Sequence, residues 1–473
     1  MSENLKLNYH EVDFIVPIHR FNIQFSYVTK QGLSFIREFV LRLVQLAPMK
    51  PSQIALYIGL NKTEVSEAIS DLMDKGDLRF NEQGKVELTP QSEGYFSGLG
   101  KPPQISSILE TSVTLSFELC GFNCIGSKRK TDGWKNGVEL KIDAQRLSQT
   151  EELAKSFFQK EFYQYFDKKF LSGVKTEGSD RPSIYAISSV RKVATDSLRV
   201  NCKFNIDIDG RAIERDDFDV LSDSTEVHEL ITKTLGQNKK ESNIQSIAYA
   251  MKSIGDYWTK DIFNDNSVDL VLFAHHSAES SVNDKKPKIF VGPIYSNENF
   301  DFVFDKIKNV VTKFDKSKDK MIKSFKWIAP SDSYWGQSSR IISILNEIEG
   351  YQLTKGDNAQ RIFQPEIYLP LSDTSDKNAL WRWKRNFGDN SQNIYAIIEG
   401  FMGGNVEVIY LENEFVVVCY HISRPETLPV TMPIGFISTD VKLIREISKM
   451  ADEYINNISS YNKPNNLGLL KNL

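Results

Sequence analysis

The stretch 34–89, SFIREFVLRLVQLAPMKPSQIALYIGLNKTEVSEAISDLMDKGDLRFNEQGKVELT, is the part of the chain that most restricts what it can fold into. Phe35, Ile36, Phe39, Val40, Leu43, Val44 and Leu46 recur at i, i+3 and i+4, which lays apolar side chains along one face of a helix. Ser34 stands at the N-cap position, where a hydroxyl can accept an otherwise free N–H. Pro48 ends this helix. Pro51 opens a second one, at a position where its missing N–H leaves nothing unsatisfied. Gly59 closes it, because glycine takes the left-handed conformation that a tight turn requires. Asn61 then caps a third helix over residues 62–75, with Glu64 as the reciprocal third-position partner. Val65, Ala68, Ile69, Leu72 and Met73 form its inward face, and Gly76 stops it. The short runs 78–80 and 86–88 flank Asn81-Glu82-Gln83-Gly84, a turn sequence suited to a hairpin.

This order of helices, turn and hairpin resembles the winged helix-turn-helix superfamily. IALYIGLNKTEVSEAISDLMDKGDLRF is similar to the family's turn, recognition helix and first wing strand, and the resemblance as a whole, 34–89, covers about an eighth of the chain. The resemblance implies that Lys62, Thr63, Ser66 and Ser70 face a DNA major groove. It implies too that the wing tip, 81–85 with Lys85, lies near a phosphate backbone. The charge of the stretch pulls the other way. Glu64, Glu67, Asp71 and Asp74 share the third helix, and residues 31–96 hold seven Lys/Arg against nine Asp/Glu. DNA affinity rests on neutralising phosphates. Winged helices also dock proteins, so DNA binding and protein docking stay open as two readings of one module.

A chain of 473 residues exceeds one ordinary core, which predicts a multidomain protein. A formal net charge of −4 restricts any nucleic-acid contact to local patches. The four cysteines form no CxxC and no Cys/His frame for zinc, which points to reduced, buried thiols in a cytoplasm. No apolar run approaches the roughly 20 residues that span a bilayer, so no membrane role is expected.

The expected fold class is mixed α/β and α+β: an N-terminal strand or arm (1–30), the winged helix (31–97), an α+β domain (105–236) and a large α/β domain (246–460). The Gly/Pro-rich segment 97–104 and the polar segment 237–245 are the expected boundaries. Two short strands are predicted within 1–30, at 14–16 and 21–27. Further strands are predicted at 184–190 and 198–208, at 268–274 ahead of His275, and at 394–398, 406–410, 415–421 and 434–438, with a closing helix at 441–455.

Three patches outside the helical stretch carry basic charge. Trp381-Arg382-Trp383-Lys384-Arg385 joins aromatic faces that can stack on bases to cations that pair with phosphate. The same pattern is what a half-buried element gives. The polar turn 128–135 carries Lys128, Arg129, Lys130, Trp134 and Lys135, a basic finger or a solvated loop. Residues 301–326 hold eight lysines and four aspartates, as a solvated helix face does.

Catalytic signatures fail on spacing. Gly94, Gly98, Gly100 and Lys101 do not make a phosphate loop, since Pro102 stands where Ser or Thr would hold magnesium. A phosphodiesterase of the phospholipase D kind needs His-x-Lys twice, but His275 is followed by Ser277 and His421 by Ser423. No GxSxG elbow is present. Asp207 and Asp209 could hold magnesium, although Asp-x-Asp-Gly also fits a strand end and turn. No catalytic residue, metal ligand or cofactor is assigned. The leading expectation is a non-enzymatic, nucleic-acid-associated regulator or subunit of a DNA-handling complex. The alternative is a scaffold whose acidic winged helix binds a partner protein or a second copy. The third is a metal-dependent nuclease or hydrolase using Asp207 and Asp209.

Overall fold

The computed structural model describes residues 6–457, apart from 33–34, 99–100, 129–135, 177–180, 217, 219, 238–239, 265–266, 283–285, 317–320, 356–357, 372–375, 388–392 and 399. The chain forms two compact units, each assembled from separate segments. One takes residues 1–17, 130–142 and 197–473, and the other takes 18–129 and 143–196. The fold is mixed α/β with several sheets, 41% helical and 30% strand, which agrees with the class read from the sequence. The N-terminus is mostly one long strand, β1 (Leu7–Gly32), where two short strands were expected.

The unit holding residues 18–129 begins in β1. Phe21, Ile23, Phe25 and Tyr27 are all buried, one at every second position, the signature of a strand with one face in a core. The chain then forms α1 (Phe35–Leu46), α2 (Pro51–Ile58), α3 (Lys62–Asp74) and a hairpin of β2 (Leu78–Phe80) and β3 (Val86–Leu88). The punctuation works as the residues predict. Gly59 takes φ +77° after α2. Asn61 Oδ1 accepts from the Glu64 N–H at 2.9 Å, and Glu64 Oε2 accepts from the Asn61 N–H at 3.0 Å. Val40, Leu41, Val44, Ile54, Val65, Ile69, Leu72, Leu78, Val86 and Leu88 close one small core. After α4 (Pro90–Glu93), β4 (Gln104–Glu118) runs antiparallel to β1 from Ile18↔Glu118 to Gly32↔Gln104, and β5 (Cys124–Gly126) pairs with β4.

The strand β6 (Val138–Glu139) pairs with β1 at Phe14, in the other unit. The helices α5 (Ala144–Ser148), α6 (Thr150–Lys160) and α7 (Phe162–Asp167) follow, and Phe158 and Phe162 pack on Phe25. The two strands expected between 184 and 208 are one strand, β7 (Ser183–Ile206), paired with β1.

In the unit holding residues 197–473 the chain continues through α8 (Thr225–Gln237), α9 (Ile244–Ile254), α10 (Trp258–Ile262), the small pair β8 (Phe263–Asn264) and β9 (Ser267–Val268), and α11 (Leu270–Val282). The strand expected at 268–274 is therefore a helix. Asp269 caps it, its Oδ1 accepting from the Leu272 N–H at 2.9 Å, and the Leu/Phe/Ala-rich run is as good a helix as a buried strand. Next come β10 (Lys288–Val291), α12 (Asn297–Lys316), β11 (Lys323–Ile328), α13 (Ser339–Gly350), a hairpin of β12 (Gln352–Lys355) and β13 (Asn358–Arg361), β14 (Phe363–Pro370) and α14 (Lys377–Phe387). The chain closes with β15 (Ile394–Ile398), β16 (Val406–Leu411), β17 (Phe415–Ile422), β18 (Met432–Ser438) and α15 (Val441–Asn457).

Seven of these strands form one sheet in the order β10-β18-β17-β16-β11-β14-β15. The neighbours β11, β14 and β15 are parallel, joined by α13 and α14; from β11 to β16 and on to β10 every pairing is antiparallel. Phe325 and Trp327 of β11 join the core of α12, α13 and α14. Between them in sequence, Lys326 bonds Asp452 of α15 at 2.7 Å, so alternate residues serve opposite faces. The result is a helix–sheet–helix sandwich.

Candidate functional site

The parallel and antiparallel halves of the sheet meet at β11 and β16. After β11 the chain turns one way into α13, and β16 enters from the other side. Such a switch leaves a crevice beyond the carboxyl end of the central strand. The loop 329–338, the start of β16, the end of β17 and the approach to β18 converge there.

Glu407 begins one core-facing stripe, Glu407-Ile409-Leu411 on β16, and His421 ends another, Val417-Cys419-His421 on β17. With Asp332 they form a buried acid–imidazole–acid bridge. His421 Nε2 lies 2.9 Å from Glu407 Oε2, and Nδ1 lies 3.2 Å from Asp332 Oδ2. Glu407 Oε1 also accepts both indole N–H groups, Trp327 at 2.7 Å and Trp335 at 2.8 Å. Asp332 Oδ2 accepts from the Thr431 hydroxyl, and Oδ1 accepts from the Tyr334 N–H at 3.0 Å. Asn243, at the start of α9, fixes the strand end. It donates to the His421 carbonyl at 2.8 Å and accepts the Ser423 N–H at 2.8 Å.

Burial alone would lower the His421 pKa, but its hydrogen bonds to the carboxylates of Asp332 and Glu407 raise it well above the ordinary imidazole value. Burial alone would raise Asp332, but the hydrogen bond and charge of His421 hold it well below the usual carboxylate range. The group is therefore an imidazolium clamped between two carboxylates, a pairing that stabilises buried charge only when every lone pair is used. His10 stands near it as a neutral imidazole, because burial pushes its pKa down to about 4.

Glu407, Cys419 and His421 bring an oxygen, a sulfur and a nitrogen within 4.8 Å of one another, a donor set zinc can accept. The hydrogen bonds do not fit that role. Two indole N–H groups point at one Glu407 oxygen, and both imidazole nitrogens carry protons directed at carboxylates. Burial pushes the Cys419 thiol up to about 11, so it is protonated near neutral pH. The proton occupies the place of a metal, and the cluster reads as a rigid support for the loop 329–338.

That loop forms one wall of an open groove of about 1100 Å³, completed by β6 and α14. Ser333 and Gln337 come from the loop, Lys141 from the segment after β6, and Trp381, Arg382, Lys384 and Arg385 from α14. Trp381 is 55% exposed, with the Lys384 ammonium 5.3 Å from its ring centre. Arg385 holds Glu139 at 2.9 Å and donates to the Gly137 carbonyl at 3.0 Å. Arg382 lies over Trp383 at 4.7 Å, and among the described residues its Nε has no hydrogen-bond partner. Burial lowers its pKa while Asp332 and Asp376 pull it back up. Gln337 is 2% exposed, and among the described residues neither the oxygen nor the nitrogen of its side-chain amide has a partner.

The basic-aromatic run is thus helical, and its two tryptophans part company. Trp381 faces out. Trp383 is fully buried and donates its indole N–H to the Pro370 carbonyl at 2.9 Å, so it serves the core and is removed from the set of base-stacking residues. Lys62, Thr63, Ser66 and Ser70 are exposed along α3, together with Glu64, Glu67 and Asp74. Asp71 is engaged by Arg37 and Lys75. Lys85 is half-buried beside the hairpin turn that Asn81 holds through its Oδ1. Lys128 is exposed, whereas Arg129, Lys130, Trp134 and Lys135 lie outside the described residues. Lys62, Thr63, Ser66, Ser70, Lys85 and Lys128 belong to the unit of α1–α3, and the candidates of α14 belong to the other.

Asp207 Oδ1 accepts the N–H groups of Asp209 and Arg211 at 3.0 and 2.9 Å, and Gly210 takes φ +72°, which is a turn. Asp216 instead bonds Lys6 at 2.6 Å and Asn205 at 2.9 Å. In the basic stretch, Lys313 and Lys323 pair with Glu414, and Lys326 pairs with Asp452. His275 sits on α11, exposed, 3.6 Å from Glu279. The Asp332–His421–Glu407 bridge was not anticipated. Its one sequence signal is a charged residue at one end of each of two alternating apolar stripes.

Comparison with known proteins gives no match to a family model, a curated protein or a solved structure.

Proposed function

We propose that this chain is a non-enzymatic, nucleic-acid-associated protein, a regulator or a subunit of a DNA-handling assembly. In this reading α1–α3 and the β2–β3 hairpin serve as a winged helix, and the sheet unit holds nucleic acid in the α14 groove. The observation that carries the reading is that groove, where Arg382, Lys384, Arg385 and Lys141 surround an exposed indole. Cations that pair with phosphate beside an aromatic face are the two elements that strand-binding surfaces combine. The four free cysteines suit a reducing compartment, and we place the protein in the cytoplasm on that ground. No helix among the described residues is long and apolar enough to cross a membrane.

The test is an anisotropy titration of the full chain with labelled single-stranded and duplex DNA at low salt. Binding that weakens as salt rises supports the reading. No binding to either form refutes it.

A second reading has its own observation. Phe35, Phe39, Leu56 and Tyr57 on α1 and α2 are exposed, the first two with ring centres 4.5 Å apart, and α3 beside them is acidic. Such a surface fits a protein partner. Charge reversal at Glu64 and Glu67 that releases a co-purified partner without changing DNA binding favours it.

A further inference from the structure

We propose that the α14 groove takes single-stranded nucleic acid one unstacked base at a time, the base lying on Trp381 and its edge meeting the Gln337 amide. This rests on the nucleic-acid reading above and narrows it from nucleic acid in general to a single strand. Three observations support it. The Trp381 ring is largely open to solvent, and one face is flanked by the Lys384 ammonium. A base paired and stacked within a duplex presents no face to such a ring, whereas an unpaired base does.

Gln337 lines the same groove, and among the described residues both polar atoms of its amide are unpartnered, although the residue is 2% exposed. A buried amide without partners is costly, and most such groups in folded proteins are satisfied. An amide offers a donor and an acceptor side by side, the complement of a base edge. The third observation is charge. Among the described residues the Arg382 Nε is unpartnered and no carboxylate forms an ion pair with Arg382 or Lys384, while Arg385 is held by Glu139. Glu139 and Asp376 also line the groove, so phosphate is drawn to the α14 cations rather than to the whole rim.

The experiment titrates the full chain with short homopolymers of dA, dC and dT and with a duplex of matched length, following tryptophan fluorescence and anisotropy. The expected result is tighter binding of single strands than of duplex, with quenching of the indole signal. Trp381→Ala lowers single-strand affinity by roughly tenfold, the scale of one lost base stack, and Trp381→Phe restores much of it. Gln337→Leu weakens binding and evens out differences among the three homopolymers. Circular dichroism of each variant confirms that the fold is kept, as expected for Trp381 on an exposed helix face. Equal binding of duplex and single strands, with Trp381→Ala unchanged and Lys384→Glu abolishing both, overturns this inference and leaves the broader reading standing. No binding of any nucleic acid overturns both.

Discussion

Replacing Glu407 with Gln tests the buried bridge most directly. The carboxylate accepts three N–H groups at 2.7, 2.8 and 2.9 Å, two from indoles and one from His421. An amide keeps the shape and loses the charge. Each bond falls from the charge-assisted range to the neutral one, a loss of about 1 kcal/mol apiece. The amide has one acceptor, so its NH2 group must face either the indoles or the imidazole. Facing the imidazole, it forces His421 to give up the Nε2 proton. The sum is about 3 kcal/mol, the lower edge of what breaking a buried ion pair costs. For a unit this large an m-value of about 3 kcal/mol/M in urea is expected, so the midpoint falls by about 1 M. The assay is equilibrium urea unfolding at pH 7 followed by tryptophan fluorescence, to which Trp327 and Trp335 report directly. The pH profile adds an independent sign. A raised His421 pKa means that its stabilisation is complete below the unfolded imidazole value and is lost as pH rises through the folded one. Glu407→Gln moves that alkaline loss toward neutral pH. A midpoint shift under about 0.2 M, with an unchanged pH profile, would refute the reasoning.

His10 carries the opposite sign. Its pKa of about 4 lies below the unfolded value, so stability holds above pH 6.5 and falls by about 3 kcal/mol as pH drops toward 4; His10→Phe should flatten that slope in urea midpoints measured across the range. Gly404 takes φ +75°, and a Cβ there meets the Ser331 side chain. Gly404→Ala is therefore expected to cost more than about 1 kcal/mol in thermal unfolding, with only part regained in the Ser331→Ala double variant because the backbone strain remains. Leu72 is fully buried in the α1–α3 core, and Leu72→Ala should cost about 3 kcal/mol. Amide exchange should quicken through α1–α3 and the β2–β3 hairpin while β11 and β16 keep their protection.

The legible parts of the fold were those written in short-range chemistry. Asn61 with Glu64, Pro51 and Gly59 fix α2 and α3 through hydrogen bonds within a turn or two, and residues that close together can be read in order. The long strands were not legible in that way. β1 looks like two short strands because Pro17 and the run to Arg20 interrupt the apolar pattern, yet the backbone continues through both. The units are discontinuous for the same reason. The chain passes from one to the other at Pro17, in segment 129–143 and at Asp196, the first and last of these inside β1 and β7, where no Gly/Pro-rich linker marks the crossing.

The site shows why local pattern fails where tertiary pairing decides. Trp381 and Trp383 are two residues apart in one basic run, and nothing local says which is buried. A strand would put both on one face, whereas a helix turns them about 200° apart. That rotation sends Trp383 to the Pro370 carbonyl and leaves Trp381 in the groove. Asp332, Glu407 and His421 are farther apart still, 75 residues and 14 residues along the chain, and each alone resembles an ordinary strand-end residue. Only the antiparallel register of β16 and β17, Val406↔Tyr420 and Glu407↔Cys419, sets the last two side by side. The same register puts a negative and a positive charge at the open end of an apolar stripe, next to the loop that carries Gln337. A bridge that saturates its own hydrogen bonds has no capacity left for substrate, so its effect on function runs through that loop. Loosening it by Glu407→Gln should therefore blur the Gln337-dependent difference among homopolymers before it weakens the Lys384-dependent affinity for strands in general.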